Sequence, residues 1–242
     1  RLPKNIFAGS INGLRLAVLG VSEFFGTTVL LFLSCTGCTS GAQGPIRVLH
    51  TSMAAGLAVT VVIQMLGHIS GAHVNPVVTL SAFILDELSC TEVLVYIFSQ
   101  LLGSLAGSGF HELVTSSELY VGGDTTEAAG NCVNLPDGSL TDWQALGVEI
   151  ILSVILVIAN CACWDQRNNN KVDSVPLKIG MVVVALNLSA GVYTGASMNP
   201  ARSFGPAVWA NNFDSHWVYW VGPTIGSLIA SYFYKYTFSK VR

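Results

Sequence analysis

Two short segments of this 242-residue chain hold its most chemically specific residues: Asn75-Pro76-Val77 and Asn199-Pro200-Ala201, the latter followed directly by Arg202. What they offer is hydrogen bonding and fixed charge, not bond breaking. Pro is well tolerated in the first turn of a helix, so each Asn-Pro reads as the start of a helix, at its electropositive end. Two carboxylates, Glu23 and Glu149, and the guanidinium of Arg202 lie in or beside apolar runs, where a charge is costly and marks a working part of the molecule. No nucleophile constellation, phosphate-binding loop, intramembrane acid–base relay or metal-ligand cluster accompanies them. Neither an enzyme nor a bound cofactor or metal is expected.

The elements that must position these groups follow from composition. Only 10% of residues are charged, against about 25% in soluble domains, and the mean hydropathy is +0.57. Most of the surface is therefore not meant for water. A net charge of −3 with no basic run excludes nucleic acid as a partner. A bilayer span needs roughly 20 mostly apolar residues, and six segments qualify: 14–36, 49–68, 93–114, 143–164, 177–193 and 216–238. Residues 75–84 and 199–210 predict helices of about ten residues, too short to cross alone. Non-helical backbone at membrane depth survives only where it lines a cavity or is buried in protein, so two half-helices in one bundle suggest a pore. The six cysteines do not read as a disulfide framework; Cys35, Cys38, Cys161 and Cys163 lie in or at the ends of apolar runs and are expected to act as small hydrophobes. No cleavable signal peptide is expected ahead of the first apolar run.

Basic residues set orientation. Arg1, Lys4 and Arg15, then Arg167, Lys171 and Lys178, then Lys235, Lys240 and Arg242 fall on one side of a six-span chain. That side is expected to be cytosolic, with both termini. The opposite connection carries Glu112, Glu118, Asp124, Glu127, Asp137 and Asp142 without a base, leaving Arg47 as the one outer loop base.

The two Asn-Pro boxes are 124 residues apart, and other pairs repeat at nearly that spacing. Glu23 pairs with Glu149, Gly56 with Gly180, and Gly103-Ser104-Leu105 with Gly226-Ser227-Leu228. Each half holds three spans, an odd number, so the second half enters from the opposite face and the repeat is inverted. The expected architecture is all-α: one channel domain of six transmembrane helices plus two half-helices in a 3+3 arrangement. The first repeat covers 14–114, an outer connecting loop 115–142, and the second repeat 143–238.

The runs from His68 to Thr79 and from Tyr193 to Ser203 resemble the boxes of the aquaporin, or major intrinsic protein, family, and the resemblance extends over 14–238. Val77 is a departure, since the family usually has Ala there. The resemblance implies a homotetramer in the cell membrane with one pore per protomer. It implies that Asn75 and Asn199 donate to a passing oxygen, and that the carbonyls of Gly71, Ala72 and His73 and of Gly195, Ala196 and Ser197 form an acceptor ladder. Two helix N-termini facing the pore centre would repel cations. Glu23 and Glu149 are expected to accept from the backbone of the Asn-Pro loops.

The family's outer constriction transfers by motif spacing to Ala55, Asn187, Ala196 and Arg202. Water-selective members typically have Phe and His where this chain has Ala55 and Asn187, so the aperture is expected to be wide. Ser203, Ala207 and Tyr219-Trp220 nonetheless resemble water-type members. The combination is similar to the insect entomoglyceroporins and implies passage of water and small uncharged solutes such as glycerol and urea. The alternatives are a strictly water-selective channel and a junctional or adhesion protein on the same fold. Ala196 stands where many water channels carry a reactive Cys, so mercury sensitivity at the constriction is expected to be weak.

Overall fold

The computed structural model describes residues 13–39, 44–116 and 132–238. Arg1, Lys4, Glu118, Asp124, Glu127, Lys240 and Arg242, used above for orientation, lie outside the described residues. The chain runs α1 (Gly13–Cys38), α2 (Gly44–Ser70), α3 (Pro76–Ile84), α4 (Cys90–Val114), α5 (Asp142–Trp164), a 3₁₀ segment (Gln166–Ser174), α6 (Val175–Thr194), α7 (Pro200–Ala210) and α8 (Val218–Thr237). The long helices are apolar around most of their circumference, as lipid contact on one side and protein on the other require. Large apolar side chains such as Leu14, Leu113 and Ile151 are exposed on the outside.

Local signals set the ends. Ser89 and Thr141 form capping boxes with Glu92 and Gln144 at the starts of α4 and α5. Asn75 and Asn199 cap α3 and α7, each followed by Pro. Gly195, at φ +74°, closes α6 in the left-handed conformation that glycine adopts without strain.

Among the described residues, five helices are long and apolar enough to cross a membrane on hydropathy alone. The sixth, α8, falls short because its inward face carries Tyr219, Ser227, Ser231 and Tyr234, all buried against protein. In the first half α1 packs on α4 and α2; in the second, α5 packs on α8 and α6; α2 and α6 join the halves. The half-helices cross over, α7 lying along α4 and α3 along both α8 and α4.

Glycines permit these approaches. A Cβ on Gly180 would sit 2.6 Å from the Gly56 carbonyl oxygen, and one on Gly226 would sit 2.6 Å from that of Ile150. Gly103 and Gly107 likewise meet α1, and Gly222 meets Glu149 and Leu146 on α5, so these small residues serve helix crossings inside one protomer.

Two expectations are corrected. Cys35, near the end of α1, is disulfide-bonded to Cys132, 97 residues later, and is no mere apolar filler. A helix end and a distant connecting segment meet there, which apolar context around Cys35 does not reveal. Cys38, Cys90, Cys161 and Cys163 are free. Arg47 is not a loop base; it lies within α2.

Candidate functional site

The site begins with backbone in an unusual conformation. Before Asn75, Gly71, Ala72 and Val74 have φ of +85°, +49° and +44°; before Asn199, Gly195, Ala196 and Met198 have +74°, +45° and +53°. A β-branched residue such as Val74 is a steric outlier in this region, and such strain persists only where surroundings over-determine it.

Buried carboxylates supply that determination. Glu23 on α1 accepts from the His73 and Val74 N–H groups at 3.0 and 2.8 Å, from Ser70 Oγ at 2.7 Å and from Gln100 Nε2 at 2.8 Å. Glu149 on α5 accepts from the Ser197 and Met198 N–H groups at 3.0 and 2.8 Å and from Thr194 Oγ1 at 2.6 Å. Both carboxylates are fully buried, and every one of these partners is a donor.

The two loops also hold each other. Asn75 Nδ2 donates to the Met198 carbonyl and Asn199 Nδ2 to the Val74 carbonyl, both at 2.9 Å. Asn75 Oδ1 accepts from Val77 N–H, and Asn199 Oδ1 from Ala201 and Arg202 N–H, satisfying first-turn donors of α3 and α7. The half-helices therefore meet N-terminus to N-terminus, each Asn keeping one amide hydrogen beyond its crossed bond. Serines of the third long helix of each half complete the weave: Ser104 on α4 donates to the Ala201 carbonyl, and Ser227 on α8 to the Val77 carbonyl at 2.7 Å. The sequence repeat marks both serines, but nothing in it says that they reach across.

A cavity of about 320 Å³ passes this junction. Along α6 its wall extends from Ile179 to Val192, roughly 20 Å at 1.5 Å per residue. Asn75, Asn199, Ala72, His73, Gly195 and Ser197 line it, and so do Ala55, Asn187, Ala196 and Arg202, brought together from α2, α6, the second loop and α7. Gly71, Pro76, Val77, Pro200 and Ala201 are not among its lining residues, and Val77 and Ala201 are buried behind it. The His73 ring packs at 5.1 Å from Tyr96 and 5.4 Å from Trp164, with Nδ1 3.3 Å from Thr79 Oγ1. Asn187 Nδ2 donates to Val183 O within its own helix, so it is not glue between helices.

Arg202 is held by residues that motif spacing does not identify. Its Nη1 donates to the Cys132 carbonyl at 2.7 Å and to Asn134 Oδ1 at 2.6 Å. Arg47 and the free Cys38 line the same end of the cavity.

The family model for the major intrinsic proteins matches residues 13–234. The chain belongs to the major intrinsic protein family. The lens fiber major intrinsic proteins of Oryctolagus cuniculus and Homo sapiens are each 39% identical to it over 216 residues, covering 89% of this chain and 79% of theirs. The X-ray structure of the aquaglyceroporin from Plasmodium falciparum superposes with a TM-score of 0.79 at 26% identity, covering 92% of this chain and 96% of that one. As a major intrinsic protein, the chain is a multi-pass membrane channel and not an enzyme.

Proposed function

We propose that this channel passes water and small uncharged solutes, glycerol foremost and urea with it, down their gradients while excluding protons and ions. The observation that carries this reading is the cavity wall joining Ala55, Asn187, Ala196 and Arg202 with Asn75 and Asn199. With Ala in place of a phenyl ring and Asn in place of an imidazole, the wall leaves room for a polyol. Its CH₂ face lies against Ala55 and Ala196, and its hydroxyls meet the remaining donors of Arg202. Likeness to the aquaglyceroporin from Plasmodium falciparum supports the same solute class.

At the centre, a water held through its oxygen by the amides of Asn75 and Asn199 turns its hydrogens outward. A proton wire is thereby interrupted, and the facing helix N-termini repel cations. Gly71, Ala72 and His73, with Gly195, Ala196 and Ser197, supply carbonyl acceptors on either side. Pro76, Val77, Pro200 and Ala201 set the half-helices, and Glu23 and Glu149 hold the loops. We place the termini in the cytosol of a plasma-membrane homotetramer with one pore per protomer, as membership of the major intrinsic protein family supports.

Stopped-flow light scattering on reconstituted vesicles tests the reading. Water and glycerol fluxes above protein-free vesicles are expected. Water without glycerol makes the protein strictly water-selective. Absence of both fluxes favours a junctional role, against which the intact Asn75, Asn199 and Arg202 weigh.

A further inference from the structure

We propose that the Cys35–Cys132 disulfide and Asn134 form a strap that fixes the Arg202 guanidinium, and that this strap sets which solutes pass. The inference rests on the channel reading above, in which Arg202 borders the constriction. Both acceptors of Nη1 come from one short stretch of the connection between the halves: the Cys132 carbonyl and Asn134 Oδ1. Nothing on α7 itself, and no carboxylate among the described residues, takes that role.

The stretch is stapled at both ends. At one end Cys132, buried and in a left-handed conformation at φ +61°, is bonded to Cys35 on α1. At the other end the Asp137 N–H donates to the Tyr193 carbonyl at 2.8 Å. Between them Asn134 is 3% exposed and accepts from Ser203 Oγ at 2.9 Å. Its amide reaches the Thr194 carbonyl at 3.5 Å. Asn134 therefore ties together α7, the end of α6 and the guanidinium.

The chemistry of the acceptors matters. An arginine carries large rotamer freedom, and a carboxylate would hold it at the expense of cancelling its charge. Two neutral oxygens fix its direction and leave the charge in place to repel cations. Nη2 and Nε make no hydrogen bond among the described residues, so they remain for a permeating hydroxyl. Once released, the guanidinium sweeps the lumen. Water slips through in the intervals, whereas a solute of nearly the full width needs the group held aside throughout its crossing. Glycerol is thus penalised more than water. A disulfide also suits the outer side, where oxidising conditions preserve it.

The test compares glycerol and water permeability of one vesicle preparation before and after reduction with a phosphine, so that the protein is folded beforehand. Asn134→Ala, which keeps the disulfide, is measured alongside it. Each is expected to lower the glycerol-to-water ratio roughly fivefold, the scale of one lost hydrogen bond. Reduction of Asn134→Ala vesicles should add little, because both changes release the same group. Unchanged ratios, with both fluxes falling in proportion, would overturn the proposal and make the strap a fold staple only. Unmodified vesicles that pass neither solute would overturn the channel reading instead, and this inference with it.

Discussion

The Asn75 amide donates to the carbonyl of Met198 at 2.9 Å, and Met198 is the residue that leads into Asn199. The reciprocal bond joins Asn199 to the carbonyl of Val74, so each half shapes the loop of the other. Those loops keep left-handed residues, Val74 among them, only while their N–H groups have acceptors. Glu23 and Glu149 are those acceptors.

Glu23→Gln should therefore be strongly destabilising. An amide can accept on one side only, so its NH₂ would face donors already there: the Val74 N–H and Gln100 amide in one orientation, the His73 N–H and Ser70 hydroxyl in the other. Orphaning one or two buried donors costs about 2–4 kcal/mol. Thermal unfolding in detergent, followed by size-exclusion fluorescence, should show a clearly lower midpoint. An unchanged midpoint would mean that the carboxylate is dispensable to the loop.

Refilling the constriction should narrow it. Ala55→Phe with Asn187→His is expected to cut glycerol permeability about tenfold or more, a barrier change of about 1.4 kcal/mol, while water flux stays within a factor of about two. Undiminished glycerol flux in the double variant would show that these two positions do not set the aperture.

Cys38 alters the outlook for mercury. Ala196 removes the thiol expected at the constriction, yet the free Cys38 lines the cavity beside Arg47. A charged, membrane-impermeant mercurial added to the outside of oriented vesicles should slow flux, and Cys38→Ser should abolish the effect. Inhibition that persists in Cys38→Ser would assign it to another thiol.

The junction after α5 should respond to acid. Arg167, bound to Asp165 and lying beside it as a cation, holds that carboxyl below the ordinary carboxylate range, and Tyr234 Oη also donates to it at 2.9 Å. A carboxyl depressed in the fold contributes stability above its unfolded pKa, near 4, and loses it as pH falls through the folded value. Asp165→Asn should therefore lower the unfolding midpoint at pH 7, and the gap from the unmodified protein should begin to narrow below about pH 4 and keep narrowing as the pH falls further. A gap independent of pH would show that charge is not what the junction uses.

How far the sequence could be read depended on how far apart the partners lie. Spans and half-helices were legible because hydropathy and Asn-Pro are local signals, and helix ends fell within a few residues of the apolar limits. The last span was readable by length but dilute in hydropathy, since Tyr219, Ser227, Ser231 and Tyr234 face protein and not lipid. Ala55, Asn187, Ala196 and Arg202 came from motif spacing, and all four line one cavity. The hold on Arg202 was not legible. Cys132 and Asn134 sit in a connection with no periodicity, 70 and 68 residues from the arginine they touch. Cys35 was hidden by the apolar run around it. Likewise Ser104 and Ser227 were visible as repeat partners, while their exchange of targets across the halves depends on a packing that no local pattern encodes.

That exchange has a consequence for synthesis. The Val77 carbonyl takes its bond from Ser227, 150 residues later, and Asn75 takes its acceptor from Met198, 123 residues later. A ribosome that has delivered only the first three spans has produced a loop and half-helix whose partners do not yet exist. The nascent half must wait in or beside the bilayer with those groups met by water, lipid headgroups or an insertion factor, and the pore can close its seam only when the final helix arrives.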